Sequence, residues 1–471
     1  MSPEARAIGA IASRPLPKPA EEGVATGAPE TAPLGAEAAT DAATAEPPET
    51  EAAAGPAARR ASKRRPRSTP EPEGGRTPSP APKTPPHVLI VGGGGTGAAL
   101  AHDLVLRGLR VTLVERGEVT SGTTGRHHGL LHSGARYATT DRAAAIECSA
   151  ENKILRRIAP GSFEENDGLF VALTDEDAAF ETQFLEGCWQ CAVPTRRIDR
   201  AGALRLEPGL NPDLRLAVQV PDATMDAMRM PLRFFATARR NGAEIRTFTE
   251  VTAVTMAGRS VRGVAVRDHA AGRDYEIGAD IVINAAGPWA GKVAALAGVT
   301  VPVAPTAGVM VALRGRHCNM VVNRLHAPGD GDIALPQRGL TVLGTSSWPV
   351  DDPDDPGVPA DHVETVVRET SRLLPALRGG EIRASWSATR PLVGESGAKS
   401  GRGLAREFRC FDHALDTSPT EGFVTIAGGK ATTLRAMAEV TADLVCGKLG
   451  IDRPCETSEV TLLPHTAWYA R

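Results

Sequence analysis

His87-Val88-Leu89-Ile90-Val91-Gly92-Gly93-Gly94-Gly95-Thr96-Gly97, followed by Val111-Thr112-Leu113-Val114-Glu115, decides the fold. The first five residues form a short, unbroken apolar run, the pattern of a strand buried on both faces. Residues 98–106 then show helical spacing and stop at Gly108, and 111–115 read as a second strand. Two strands joined through a helix must lie parallel. Gly92-x-Gly94-x-x-Gly97 sits at the strand–helix junction. Gly92 permits the tight turn, Gly94 lets the backbone approach a pyrophosphate, and Gly97 lets the helix pack close to the strand. The helix N-terminus presents N–H groups and a partial positive charge to phosphates. Glu115, 18 residues beyond Gly97, can accept hydrogen bonds from ribose hydroxyls. In this context the motif reads as a dinucleotide site.

The 471-residue chain is uneven on either side of this unit. Residues 1–86 hold 17 of the 37 prolines and no Phe, Trp or Tyr; the first aromatic is Tyr137. Eight acids and no base lie between 21 and 51, and six bases lie between 59 and 67. Such a segment cannot bury enough apolar surface to offset chain entropy, so 1–86 is expected to be a disordered tail. It carries no net charge, which leaves the formal −3 on the remainder. That balance gives no electrostatic case for a nucleic-acid partner.

Beyond the first unit, helices are expected over 141–158, with Ile146, Ile154, Leu155 and Ile158 on its apolar side, and over 228–241, closed by Gly242. Strands are expected near 244–251, 261–267 and 280–284, the last ending at Ala285-Ala286-Gly287-Pro288. Residues 305–350 read as strands with Gly/Pro breaks and 361–374 as a helix. Near the C-terminus a strand over 422–427 runs into Gly428-Gly429-Lys430 and a helix over about 432–448. No internal repeat is evident.

The stretch after Glu115 favours FAD over NAD. Thr120-Ser121-Gly122-Thr123-Thr124-Gly125-Arg126-His127-His128-Gly129-Leu130-Leu131-His132-Ser133-Gly134-Ala135-Arg136-Tyr137 can wrap a large cofactor that stays bound. The turn at 428–430 also precedes a helix, whose N-terminus can stabilise the negative charge of a reduced flavin.

These residues resemble the FAD-dependent glycerol-3-phosphate dehydrogenases, most of all the catalytic A subunits of the anaerobic enzymes. The segment 129–137 with Thr123-Thr124 before it carries the resemblance, joined by Ile283-Asn284-Ala285-Ala286-Gly287, Thr389-Arg390-Pro391-Leu392-Val393 and Gly428-Gly429-Lys430-Ala431-Thr432-Thr433-Leu434-Arg435. It spans about residues 87–464. It implies an α/β fold: a glutathione-reductase-like, discontinuous FAD-binding Rossmann domain with a smaller mixed α+β substrate domain. It also implies oxidation of sn-glycerol 3-phosphate to dihydroxyacetone phosphate. The expected organisation is tail 1–86, oxidoreductase 87–455 with interleaved FAD and substrate parts, and C-terminal tail 456–471. The chain departs from the family at Leu434, where an aromatic is common, and ends at Arg471 without the family's C-terminal extension. That bears on the electron acceptor more than on the substrate.

Oxidising a secondary alcohol by hydride transfer requires a base, a cation for the developing alkoxide and a cradle for the phosphate. His132 is the candidate base, since imidazole titrates near working pH; the competing reading is a histidine that only hydrogen-bonds the cofactor. Asp412-His413 offers a second candidate base. Arginine suits phosphate because its planar fork gives two charge-assisted hydrogen bonds. By resemblance, Arg136, Tyr137, Arg390 and Arg406 contact substrate, and Lys430 and Arg390 act at the reacting oxygen. For each arginine taken alone the competing reading is a structural ion pair, which three arginines in matching family segments weaken. The expected FAD contacts are Gly92, Gly94, Gly97, Glu115, Thr123, Thr124, His128, Gly129, Leu131, Val251, Ala286, Gly287, Gly429, Lys430 and Thr432. Alternative functions are a same-fold flavin oxidoreductase acting on a 2-hydroxy acid or amino acid, and a flavin-bearing electron-transfer protein without its own substrate.

Seven scattered cysteines do not make a disulfide framework and fit a reducing cytosol. Cys188-Trp189-Gln190-Cys191 is a lone pair without zinc spacing, so no metal is expected. The uncharged run 293–313 contains Pro302 and Pro305 and reads as a helix end, a turn and a buried strand rather than a membrane span. A cytoplasmic protein is expected, at most peripheral at the inner face of the membrane; the basic run at 59–67 reads first as a solvated linker and second as an aid to such contact. Its electrons would pass to a quinone or to partner subunits.

Overall fold

The computed structural model describes residues 84–394 and 407–470; residues 1–83 of the expected 1–86 tail, and Arg406, lie outside the described residues. A six-stranded sheet is ordered Phe408–Asp412, Phe423–Gly428, Ile281–Asn284, His87–Val91, Arg110–Val114, Glu244–Arg246. All its pairings are parallel except that of the edge strand Phe408–Asp412. Its strands come from three separated parts of the chain, as a discontinuous dinucleotide domain requires.

Strand alternation explains how this sheet is covered. In His87–Val91, Val88 and Ile90 join the core formed with helices Gly95–Leu106, Arg229–Arg240 and Leu434–Leu449. Leu89 and Val91 point to the opposite face, where Val254, Val264 and Val266 of an antiparallel three-stranded sheet cover them. Successive side chains thus serve two cores, which is why the run is unbroken by polar residues. Helix Gly95–Leu106 packs its Ala98, Ala99 and Ala101 fully inside, so the helix sits close to its neighbours.

A second, nine-stranded sheet is ordered Trp348–Pro349, Val303–Arg314, Leu340–Gly344, Ile333–Gln337, Val321–Arg324, Gly168–Ala172, Leu216–Val220, Arg196–Asp199, with Ile382–Val393 also paired to Val303–Arg314. Val309, Val311 and Leu313 pack toward helix Ala360–Leu373, whereas Met310 and Ala312 pack with Leu130 on the other face. The latter face looks onto the 120–137 stretch.

Most expected elements are present within a residue or two. Ile146 is a correction: it is 47% exposed. The buried stripe of helix Arg142–Ile158 instead includes Glu151 and Asn152. These polar residues are inside because each has a partner, Arg435 for Glu151 and the His132 carbonyl for Asn152. Residues 456–470 are seated rather than trailing. The Leu462 N–H donates to the Ile158 carbonyl (2.7 Å), Arg233 donates to the Leu462 carbonyl (2.8 Å), and Trp468 packs on Phe235.

Inside helix Gly95–Leu106, His102 is fully buried against Phe234, and burial pushes its imidazole down to about 4. The unfolded chain binds a proton near 6.5 that the folded protein refuses. Stability therefore falls as pH drops below about 6.5 and the loss is complete below about 4, amounting to about 3 kcal/mol. His102→Leu should flatten this part of the stability–pH curve; an unchanged acid slope in chemical denaturation would contradict it.

Candidate active site

The first strand ends in a turn that only glycine tolerates. Gly92 has φ +114°, and a Cβ there would come 2.6 Å from the Ala285 carbonyl oxygen. A Cβ on Gly97 would overlap the Gly92 carbonyl oxygen, a backbone atom that cannot yield. Gly97 is thus the helix–strand packing position and does not itself line the cavity that Gly92 and Gly94 border. Gly97→Ala is expected to destabilise the protein by about 2–3 kcal/mol and to empty it of FAD, read by thermal unfolding and by flavin absorbance. Glu115 borders the cavity with its carboxylate aimed by the N–H groups of Gly93 (2.7 Å) and Gly117 (2.8 Å). On the far side, Asn284 accepts from the Ala286 N–H and donates to the Ala290 carbonyl, holding the 285–287 turn against the cavity.

The 120–137 stretch folds over the helix N-terminus. Thr124 Oγ1 accepts from the Gly95 N–H (2.9 Å), and Thr123 Oγ1 donates to the Thr389 carbonyl (2.5 Å), tying the stretch to the helix N-terminus and to the nine-stranded sheet. His127 and His128 each accept a backbone N–H two residues on, at Gly129 and Leu130. Burial lowers them to about 4 and about 3, so both are neutral. Gly129 has φ +90° beside Gln337 and the Met225 carbonyl. Strand parity separates the two leucines: Leu130 lines the cavity, whereas the Leu131 side chain is fully buried in the helix-side core.

The same cavity is lined by His132, Tyr137, Arg390, Gly428, Gly429 and Lys430, drawn from three distant segments. Lys430 Nζ stands 5.1 Å from the centre of the Tyr137 ring, and the His132 ring is 5.2 Å from the same ring. Burial above all, with the positive charges of Arg136 and Lys430 beside it, holds His132 well below its ordinary value, so it is neutral. Arg390 is aimed by Thr345 Oγ1 (2.6 Å) and by the carbonyls of Ala307 and Ser346. Gly308 makes room for it, because a Cβ there would press on both of its terminal nitrogens.

Arg136 is otherwise engaged. It pairs with buried Asp332 at 2.6 Å, and it is not among the cavity-lining residues. Thr432 also stands back from the lining: fully buried, its Oγ1 accepts from the His132 N–H (3.1 Å). His413, the alternative base, is held by Asp416 and Thr425 away from the cavity, and Asp412 pairs with Lys448. Cys188 and Cys191 are buried thiols pushed up by burial.

The cavity has a volume of about 770 Å³, and Gly92, Glu115, Lys430 and His132 all line it. Val251, Ala286 and Gly287 also border it. Five cationic side chains and three carboxylates edge it, an excess that suits an anionic pyrophosphate. A glycine cradle, a carboxylate at the cavity wall and a space of this volume fit FAD. Sequence reasoning missed Trp289, over which Arg116 stacks at 4.6 Å, and Asp354, which pairs with Arg116 and Lys292 across the cavity mouth. Met225 and Met230, which supply apolar lining, were also missed.

Comparison with known proteins agrees with this geometry. Residues 87–444 match the family model described as FAD dependent oxidoreductase. The chain is 42% identical over 377 residues to the A subunit of the anaerobic glycerol-3-phosphate dehydrogenase of Escherichia coli (strain K12), covering 80% of this chain and 69% of that protein. The A1 subunit of the Haloferax volcanii enzyme is 41% identical over 391 residues, covering 81% and 67%. Among solved structures, the glycerol-3-phosphate dehydrogenase of Bacillus halodurans complexed with FAD superposes with TM-score 0.63 at 24% identity, over 81% of this chain and 68% of that one. The glycine oxidase of Geobacillus kaustophilus superposes with TM-score 0.62 at 22% identity, over 80% and 99%. At such identities these structures speak to the fold alone. The chain belongs to the FAD dependent oxidoreductase family and, within it, to the anaerobic glycerol-3-phosphate dehydrogenase A subunits.

Proposed function

We propose that the chain oxidises sn-glycerol 3-phosphate to dihydroxyacetone phosphate with bound FAD and passes the electrons to a quinone or to partner subunits. The observation that carries this reading is that neutral His132, Lys430 and the aimed Arg390 line one cavity together with the dinucleotide-type glycine turn. FAD, when bound, supplies the hydride-accepting chemistry. His132 takes the proton of the C2 hydroxyl, and its neutrality leaves the ring nitrogen free to do so. Lys430 stabilises the negative charge that develops on that oxygen. Arg390 holds the phosphate, and its contacts with Thr345 and Ala307 preset the fork, so little freedom is lost on binding. Arg136, and Arg406 by resemblance, complete the anion site in this reading. For Arg136 this requires exchange of Asp332 for phosphate or a shared position between them.

No helix among the described residues is long and apolar enough to cross a membrane. Contact with a quinone-bearing membrane would then run through partner subunits or a peripheral surface. The test is turnover of the FAD-loaded chain with glycerol 3-phosphate and alternative acceptors. Rapid turnover with a soluble quinone analogue or a dye and slow turnover with oxygen are expected. Stoichiometric hydrogen peroxide formed as fast as the flavin is reduced would make the protein an oxidase and contradict the acceptor assignment.

A further inference from the structure

The peptide groups on both sides of His132 are held by three buried side chains from separate parts of the chain. The His132 N–H donates to Thr432 Oγ1 (3.1 Å), and the His132 carbonyl accepts from Asn152 Nδ2 (3.2 Å). The next N–H, that of Ser133, donates to Asp222 Oδ1 (2.7 Å). Thr432, Asn152 and Asp222 are 0%, 4% and 2% exposed, so water does not compete for these bonds. Asn152 is itself fixed. Its Oδ1 accepts from Arg156 Nε (2.8 Å), and Arg156 also donates to the carbonyls of Pro221 and Asp222. Asn152 and Asp222 thus belong to one network joining helix Arg142–Ile158 to the segment before Ala223–Met225.

Fixing the peptide planes before and after a residue fixes its φ and ψ, and with them the direction of its Cα–Cβ bond. Only two side-chain torsions then remain to His132. Thr432 adds a second constraint, since it lies two residues from Lys430 in the turn that borders the cavity. One hydroxyl therefore sets the base relative to the cation that would receive the alkoxide.

We propose that Thr432, Asn152 and Asp222 are positioning residues for the His132 imidazole, with Thr432 locking base and Lys430 into one register. The inference rests on the reading of His132 as the base. Misplacement of a reacting group by about 1 Å costs about a hundredfold in rate.

Thr432→Val removes the acceptor at constant shape, and Thr432→Ser keeps it. In the FAD-loaded protein, Thr432→Val is expected to lower the limiting rate of flavin reduction by glycerol 3-phosphate about 30- to 100-fold, with the substrate dissociation constant changed less than about threefold. Thr432→Ser is expected to recover the rate to within about threefold of wild type. In a His132→Asn background, Thr432→Val is expected to cost nothing further, because the group it positions is gone. FAD content and melting temperature are measured on each variant, and Asn152→Asp is taken through the same comparison should Thr432→Val fail to fold. A variant with lower melting temperature but a wild-type limiting rate would overturn the positioning role, as would losses that multiply with His132→Asn. Wild-type reduction by His132→Asn alone would instead remove the base assignment on which the inference stands.

Discussion

His132→Asn is expected to slow flavin reduction by about 10²–10⁴-fold while FAD remains bound at wild-type stoichiometry. The side chain touches the cavity, but its replacement leaves the peptide bonds to Thr432 and Asn152 intact, so the fold and the cofactor cradle should survive. The pH dependence is a second reading of the same group. A histidine ordinarily loses its base function below about 6.5. His132 is held well below that by burial and neighbouring charge, so it stays unprotonated at pH 6.5 and the acid limb of the reduction rate should lie below that value. A limb centred at or above 6.5 that disappears in His132→Asn would show that the ring is solvated in the working enzyme. Reduction by His132→Asn at the wild-type rate would remove it from the chemistry altogether.

Arg390→Ala is expected to lower the second-order rate of flavin reduction by about 2–4 kcal/mol of transition-state binding, or roughly 30- to 1,000-fold. The guanidinium is already oriented by Thr345 and the carbonyls of Ala307 and Ser346 in a site roofed by Gly308, so removal deletes a preorganised anion partner. Most of the loss should appear at low substrate, and inorganic phosphate should cease to inhibit competitively. Arg390→Lys is expected to restore only part of the loss, because an ammonium cannot reproduce the fork. Unchanged reduction at low glycerol 3-phosphate would dismiss Arg390 as the phosphate ligand.

The first strand, its glycine turn and Glu115 were legible because local sterics and dipoles dictate them: Gly92 and Gly97 have no room for a Cβ whatever the rest of the chain does. The wrapping stretch was legible from its small and polar composition, and its sequel at 428–430 from the strand–turn–helix pattern. Partnerships across long stretches of chain were not. Nothing near Arg136 announces Asp332, 196 residues away, with which this arginine forms a buried ion pair. Leu130 and Leu131 are chemically identical, and only their register opposite Thr224 and Ala223 decides which faces the cavity. The place of Thr432 in the glycine-rich turn gives no sign that its hydroxyl accepts from His132, 300 residues earlier. Ile146 followed the apolar period of its helix but faces outward, because the buried stripe is set by Glu151 and Asn152, whose partners lie elsewhere in the chain.

The central claim is that one cavity holds FAD beside a site built for a phosphorylated secondary alcohol. Its most direct measurement is anaerobic mixing of the FAD-loaded chain with single candidate donors while the flavin absorbance is followed. Glycerol 3-phosphate is predicted to bleach the flavin completely, releasing one dihydroxyacetone phosphate per FAD, whereas glycerol, 2-hydroxyglutarate and glycine leave it oxidised. Bleaching by a hydroxy acid or an amino acid, with glycerol 3-phosphate inert, would contradict the account.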